Sequence, residues 1–185
     1  MSDILERLDK IEGRLSEESF LSNKGLSNEV GIHIFCYDPA DELIVREYFR
    51  KISKKSDKGF NLVECDLYSI FMDICEEKKI IDKIPAMEES KGSDVMKTKV
   101  CNVATPEYFV RKMLYEPHNY GDVLLISGVG KVYPYMRSHS ILEAIQAYFS
   151  DIPVLLLYPG KFDGRSLSLF GKIDDGHYYR AFNLI

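Results

Sequence analysis

Two short apolar runs, residues 123–126 (VLLI) and 154–158 (VLLLY), flank a helix-patterned segment, residues 138–149, within the stretch 121–171. Runs this short and this continuously apolar predict strands buried on both faces, as in a parallel sheet. Strand, crossover helix and strand then form a βαβ unit, expected to be right-handed. Turn-forming residues follow each run, Ser127-Gly128-Val129-Gly130 after the first and Pro159-Gly160 after the second. Both clusters are expected at the carboxyl ends of the strands, the edge where open α/β sheets take their ligands.

The rest of the chain alternates in the same way. Residues 3–20 read as a helix whose apolar positions, Ile4, Leu8, Ile11 and Leu15, form a narrow stripe among charged neighbours. Such a stripe suits one neighbouring helix or the body of its own domain, and both readings stand. Residues 22–29 read as a loop and residues 30–36 as the first strand. Asp38 or Asp41 is placed to cap a helix over 41–55, which ends in a lysine cluster, residues 51–58, and stops at Gly59. A cationic helix end favoured by the macrodipole explains those lysines without a ligand. A second strand is predicted at Asn61–Asp66 and a helix at 67–84, ended by Pro85. Residues 86–104 are polar and weakly periodic, a short helix or an insertion. Thr105-Pro106-Glu107 starts a helix with proline in its first position. Residues 161–176 read as an irregular loop with a short strand at 167–170, and 178–184 as a final edge strand. The sum is one α/β domain over 1–185, three-layered, with a mainly parallel sheet and helices on both faces: Rossmann-like or P-loop-like without a Walker A motif.

At 185 residues with 45% hydrophobic positions, the chain can bury a substantial core. No run reaches the length of a membrane helix, and the first residues lack an apolar signal core, so a cytoplasmic protein without membrane contact is expected. The net charge of −5 argues against a dedicated nucleic-acid binder, whose phosphate affinity needs a basic face. Cys36, Cys65, Cys75 and Cys101 are widely spaced. They read as reduced, buried thiols rather than zinc ligands, so no metal is expected.

Gly128-Val129-Gly130-Lys131 invites a phosphate-binding reading and fails it. A Walker A loop needs glycine where Leu125 stands and a hydroxyl residue where Val132 stands. A dinucleotide fingerprint fails at Tyr133. The heptad Tyr133-Pro134-Tyr135-Met136-Arg137-Ser138-His139 carries two readings. Tyr133, Tyr135 and Arg137, with His139 beside them, form an anchor surface for a partner, or the tyrosines roof the sheet while Ser138 caps a helix. His139 has no serine or cysteine nucleophile visibly paired to it. Asp38, Asp66 and Asp163 each follow a predicted strand end. They either converge as acid, base or metal ligands, or serve as caps and turns. His33, inside a predicted strand, reads as a core or second-face residue. No cofactor follows from any of this.

The segments GVGKVYPYMRSHSIL and DIPVLLLYPGKFDGRSLSLFG, with YYRAFNLI after them and GLSNEVGIHIFCYDPADELIVRE before, resemble the BrxB family of bacterial BREX phage-defence clusters. The resemblance runs nearly end to end. Phe162 stands where tyrosine is more readily expected. BREX systems methylate host DNA at a specific motif and block replication of unmarked phage DNA. The resemblance therefore implies an antiviral role inside a multiprotein system, without a catalytic motif and without site residues to carry over. The function it implies is a non-catalytic scaffold or adaptor, not an enzyme, with other BREX proteins as partners and the alkaline-phosphatase-like PglZ foremost. Two alternatives remain open: a small nucleotide- or metal-dependent enzyme or sensor using the 128–137 loop, and a DNA-binding accessory using the lysines of 51–58.

Overall fold

The computed structural model describes residues 3–22 and 31–185. Two helices come first, α1 (Asp3–Leu15) and α2 (Glu18–Leu21), so the helix expected over 3–20 is broken near Ser16. The loop expected over 22–29 and the expected start of the first strand at residue 30 fall almost wholly outside the described residues. Strand β1 (Ile32–Tyr37) leads through a single 3-10 turn at Pro39–Asp41 into α3 (Glu42–Ser53). Asp38 caps that turn, accepting from the Ala40 N–H at 2.9 Å. At the far end of α3, Lys58 donates to the carbonyls of Ile52 and Ser53 at 2.7 and 2.9 Å. This lysine thus closes a helix terminus, where a cation meets the negative end of the dipole.

β2 (Asn61–Asp66) runs directly into α4 (Leu67–Glu77). α4 stops earlier than the apolar pattern suggests, because Lys79 turns the chain at φ +53°. Pro85 then opens a helix instead of ending one. It sits in the first turn of α5 (Ile84–Lys91), where a missing N–H has no cost. The polar segment that follows is helical, as α6 (Ser93–Val103). α7 (Pro106–Met113) is capped by Thr105. β3 (Asp122–Ser127), the short α8 (Val129–Val132), α9 (Ser138–Ile145) and β4 (Val154–Phe162) complete the central unit. Ser138 is buried and does not cap α9. The short strands β5 (Leu167–Leu169), β6 (Ile173–Asp174) and β7 (Phe182–Asn183) follow.

Pro159-Gly160 does not end the fourth strand, contrary to the turn reading. β4 continues through both residues and pairs antiparallel with β5, Gly160 opposite Leu169. The approach is so close that a Cβ on Gly160 would lie 2.2 Å from the Ser168 carbonyl oxygen. Only glycine fits there.

Among the described residues the sheet has the order β2-β3-β4-β1-β7, all parallel, with β5 and β6 appended to β4. The β1-to-β2 crossover runs one way along the sheet, and the β2-to-β3 and β3-to-β4 crossovers run the other. Crossovers of one hand that travel in opposite directions must lie on opposite faces. The core divides accordingly. One face buries Val45 and Phe49 of α3 against Phe35, Leu125 and Leu155. The other buries Phe71 of α4, Phe109 of α7 and Ile141 of α9 against Ile34, Leu124, Ile126 and Leu156. This is the expected three-layer arrangement.

The stripe Ile4, Leu8, Ile11 and Leu15 is no more than 4% exposed and belongs to the α3-side cluster. Of its two readings, packing on the chain's own body is the one the structure takes. No helix of the described residues is long and apolar enough to cross a membrane.

His33 is buried as expected, its ring 4.6 Å from Phe20 and 5.7 Å from Phe182, and among the described residues its Nδ1 has no hydrogen-bond partner. Burial first, and the Arg14 guanidinium second, lower its pKa to about 4. The unfolded value lies near 6.5. The neutral ring's contribution to stability is therefore complete above the unfolded value and is lost as pH falls through the folded one. A difference of this size corresponds to roughly 3 kcal/mol across that window. Urea unfolding above and below the window should show the wild type losing more stability on acidification than His33→Leu. Equal losses would mean that His33 carries none of the pH dependence.

Candidate functional site

The carboxyl edge of the sheet is built around Asp66 and Gly128. β3 ends at Ser127, and Gly128 turns the chain at φ +76°, where a Cβ would lie 2.9 Å from Asp66 Oδ1. Asp66 caps α4 by accepting from the Ser69 N–H at 2.8 Å, and Lys131 Nζ lies 3.4 Å from its other oxygen. Burial alone would raise the Asp66 pKa, but the Ser69 N–H and the Lys131 ammonium together hold it below the usual carboxylate range. The lysine that suggested a phosphate site is therefore engaged by a carboxylate. Beside this pair, Ser127 Oγ donates to Glu64 Oε1 at 2.8 Å.

The aromatic heptad follows. Tyr133 and Tyr135 are half-buried against the α4–α9 core. The Tyr135 ring stacks on Phe71 at 4.8 Å and 15°, and its carbonyl accepts from the Cys101 thiol at 3.6 Å. Burial pushes the Tyr135 hydroxyl pKa up. Tyr135 thus packs on α4 and α6 and Tyr133 lies half-buried beside it, while Arg137 stays exposed.

His139 is half-buried and meets residues the sequence pattern left as strand and loop. Its ring lies flat on His177, with centroids 3.8 Å apart and planes at 4°. Tyr179 abuts it edge-on at 5.7 Å, and Glu143 Oε2 lies 3.6 Å from its Nε2. The C-terminal segment is pinned here. The Tyr179 N–H donates to the Arg165 carbonyl at 2.8 Å, and its hydroxyl donates to Asp175. Burial first, then the Asp175 carboxylate, push this hydroxyl well above its ordinary range. Between α9 and this segment lies a groove of about 420 Å³, walled by His139, Glu143, Gln146, Tyr178 and Arg180 over a floor of Ile32, Leu142 and Ala181. Tyr178 is 66% exposed at its rim.

The structure therefore brings together two stretches almost forty residues apart, Arg137 to His139 and His177 to Arg180. Sequence reading found the first. It missed the second, because Tyr178-Tyr179-Arg180 fits the alternation of an edge strand equally well.

The three aspartates at strand ends do not converge on a common ligand. Asp38 caps its 3-10 turn, and Asp66 holds α4 and Lys131. Asp163 accepts from the N–H groups of Arg165 and Ser166 at 2.8 and 2.7 Å. Among the described residues no three His, Cys, Asp or Glu side chains are grouped to hold a metal ion. All four cysteines are free thiols. Burial raises the pKa of each, Cys36 to about 12 and Cys65 to about 11, which suppresses thiolate chemistry.

Comparison with known proteins places these motifs in a family. The family model described as "BREX protein BrxB" matches residues 63–184. A BREX protein BrxB of Bacillus cereus (strain H3081.97) is 39% identical over 190 residues, covering 100% of this chain and 99% of the relative. Another, from Escherichia coli O9:H4 (strain HS), is 27% identical over 183 residues, covering 97% of this chain and 90% of the relative. No solved structure matches.

The loop geometry separates two substitutions. Tyr135→Ala removes the stack on Phe71 and should lower the unfolding free energy by about 1–3 kcal/mol. Arg137→Ala, at an exposed position, should change it by less than about 0.5 kcal/mol. Chemical denaturation of both variants checks the pair. Equal effects would contradict the division into a packed tyrosine and an exposed arginine.

Proposed function

Because this chain belongs to the BrxB family of BREX proteins, we propose that it is a non-catalytic scaffold or adaptor of its BREX system, acting in the cytoplasm and binding the alkaline-phosphatase-like component PglZ. As a BREX component it works among other BREX proteins. The choice of PglZ rests on the family resemblance. The form of the contact rests on the groove between α9 and the C-terminal segment.

One observation carries the reading. His139, Tyr178 and Arg180 line a single concave surface, His177 stacks on His139 at its rim, and Arg137 lines the neighbouring cleft beside Tyr133. Tyr179 is buried beneath it and hydrogen-bonded at both ends. Aromatic and arginine anchors on a preorganised surface are what protein interfaces use for most of their energy. The stripe of α1 is buried in the chain's own core and so offers no free apolar face. The residues around Lys131 also favour a non-enzyme. The ammonium faces Asp66, and the following residue, Val132, has no hydroxyl to hold a metal–phosphate complex.

Two measurements test this. Co-expressed PglZ should co-purify with the intact chain, and Tyr178→Ala and Arg137→Ala should each weaken the complex by about 2 kcal/mol, or roughly thirtyfold, with circular dichroism unchanged. Retention of full affinity by the double variant would move the interface elsewhere, and absence of any complex would remove PglZ as partner. Separately, the purified chain should not turn over ATP or GTP. Turnover abolished by Lys131→Ala, in a preparation free of contaminating ATPase, would overturn the non-enzymatic assignment.

A further inference from the structure

The sheet closes differently at its two margins. β7, at one side, is two residues long. β2, at the other, has six residues and among the described residues pairs with β3 alone, in unbroken register from Asn61 opposite Asp122 to Asp66 opposite Ser127. Among the described residues, no backbone bond from outside that ladder reaches 62–65. The outer side of β2 therefore presents unpaired N–H and C=O groups. Proteins guard such edges with lysine, proline, a bulge or a cover. NLVECD contains no lysine or proline, and its register has no bulge. Val63 is half-buried and Glu64 exposed. Grooves of about 310 and 460 Å³ open on either side of Glu64, one walled by Leu43, Arg46 and Arg50, the other by Asp66, Asp73 and Lys112. Leu43 is 75% exposed. The flanking helices thus leave room beside the strand.

Charge is graded along this edge. At the carboxyl end Glu64, Asp66 and Asp73 share one groove. Two cations near them are already engaged, Lys112 with Glu77 and Lys131 with Asp66, and Arg46 is the remaining opposing charge. At the amino end Lys55 lines the groove beside Asn61, with Lys54 next to it at the end of α3, while Lys58 there is already engaged in closing α3. Asp57 and the Glu12 partner of Lys55 oppose them.

We propose that β2 is a homodimer interface, in which the β2 strands of two copies pair antiparallel about a two-fold axis at Val63 and join the sheets into one. Antiparallel pairing sets the acidic end of each strand against the basic end of the other, twice. Parallel pairing would set acid on acid. A strand from an unrelated protein must supply both charge signs in the right order, whereas a second copy does so by symmetry. The register centred on Val63 keeps equivalent faces together, places Leu62 opposite Glu64, and avoids setting Glu64 against its own copy, which a register one residue pair further would do.

Sedimentation equilibrium of the intact chain over a wide concentration range tests the proposal. The expected result is a reversible dimer of twice the chain's 21.3 kDa. Val63→Lys sets two like charges opposite one another and should weaken dimerisation by roughly tenfold or more. Asp73→Lys and Lys54→Glu should each weaken it, and the double variant should recover it. A chain that stays monomeric at every concentration overturns the proposal. So does a dimer unaffected by Val63→Lys. Should Val63→Lys unfold the sheet, the charge-swap set decides: no loss in the single variants, or no recovery in the double, overturns it.

Discussion

Both faces of β3 and β4 are buried, every residue of β3 among them, and this condition sets where the helices go. A strand with no solvated side needs a covering layer above and below. The covering layers also have to be reached by crossovers of one hand. Because β1 lies beyond β4 in the sheet, its connection to β2 travels against the direction of the later ones and must cover the opposite face. The face left to α3 is wide, and α1 and α2 complete its cover. That is why a helix with so narrow an apolar stripe is part of the core and not an arm.

The same condition explains what was legible in the sequence. Continuous apolar runs report burial on both faces directly, so β3 and β4 could be read from them, while β2, NLVECD, with Asn61 and Glu64 exposed, was legible only from its place in the alternation of strands and helices. Boundaries that depend on a distant neighbour could not be read. Pro159-Gly160 carries the local signal of a turn, yet the strand continues because β5 returns against it and needs a residue without a side chain. The end of α4 rests on Lys79 in a left-handed conformation, which no glycine announces. The site was half legible for a related reason. Tyr135 and Arg137 stand out in one short motif, but the His139–His177 stack depends on how residues 163–176 fold back, and a pattern read locally contains none of that.

Charge at the strand ends is largely used inside the fold. Asp38, Asp66 and Asp163 cap or brace their own turns, Lys58 closes α3, and Lys131 faces Asp66. Groups satisfied in this way have little left with which to polarise a substrate or hold a phosphate. What remains outward-facing is of a different kind: imidazole, phenol and guanidinium faces around one groove, and an open row of peptide groups along one strand.

The two features lie at opposite margins of the sheet. The groove is bounded by α9, Ile32 of β1 and the segment leading into β7, and the open edge is β2, with β3 and β4 between. Three strand spacings separate β1 from β2, or roughly 15 Å across the sheet. A protein seated in the groove therefore does not cover the strand, and a second copy seated on the strand does not close the groove. Strand pairing about a two-fold axis also extends the sheet away from β7, so the two grooves of such a pair point outward at its far ends. On the two proposals together, each groove would seat a partner at one end of the joined sheet, with strand count and not a linker setting the spacing between them.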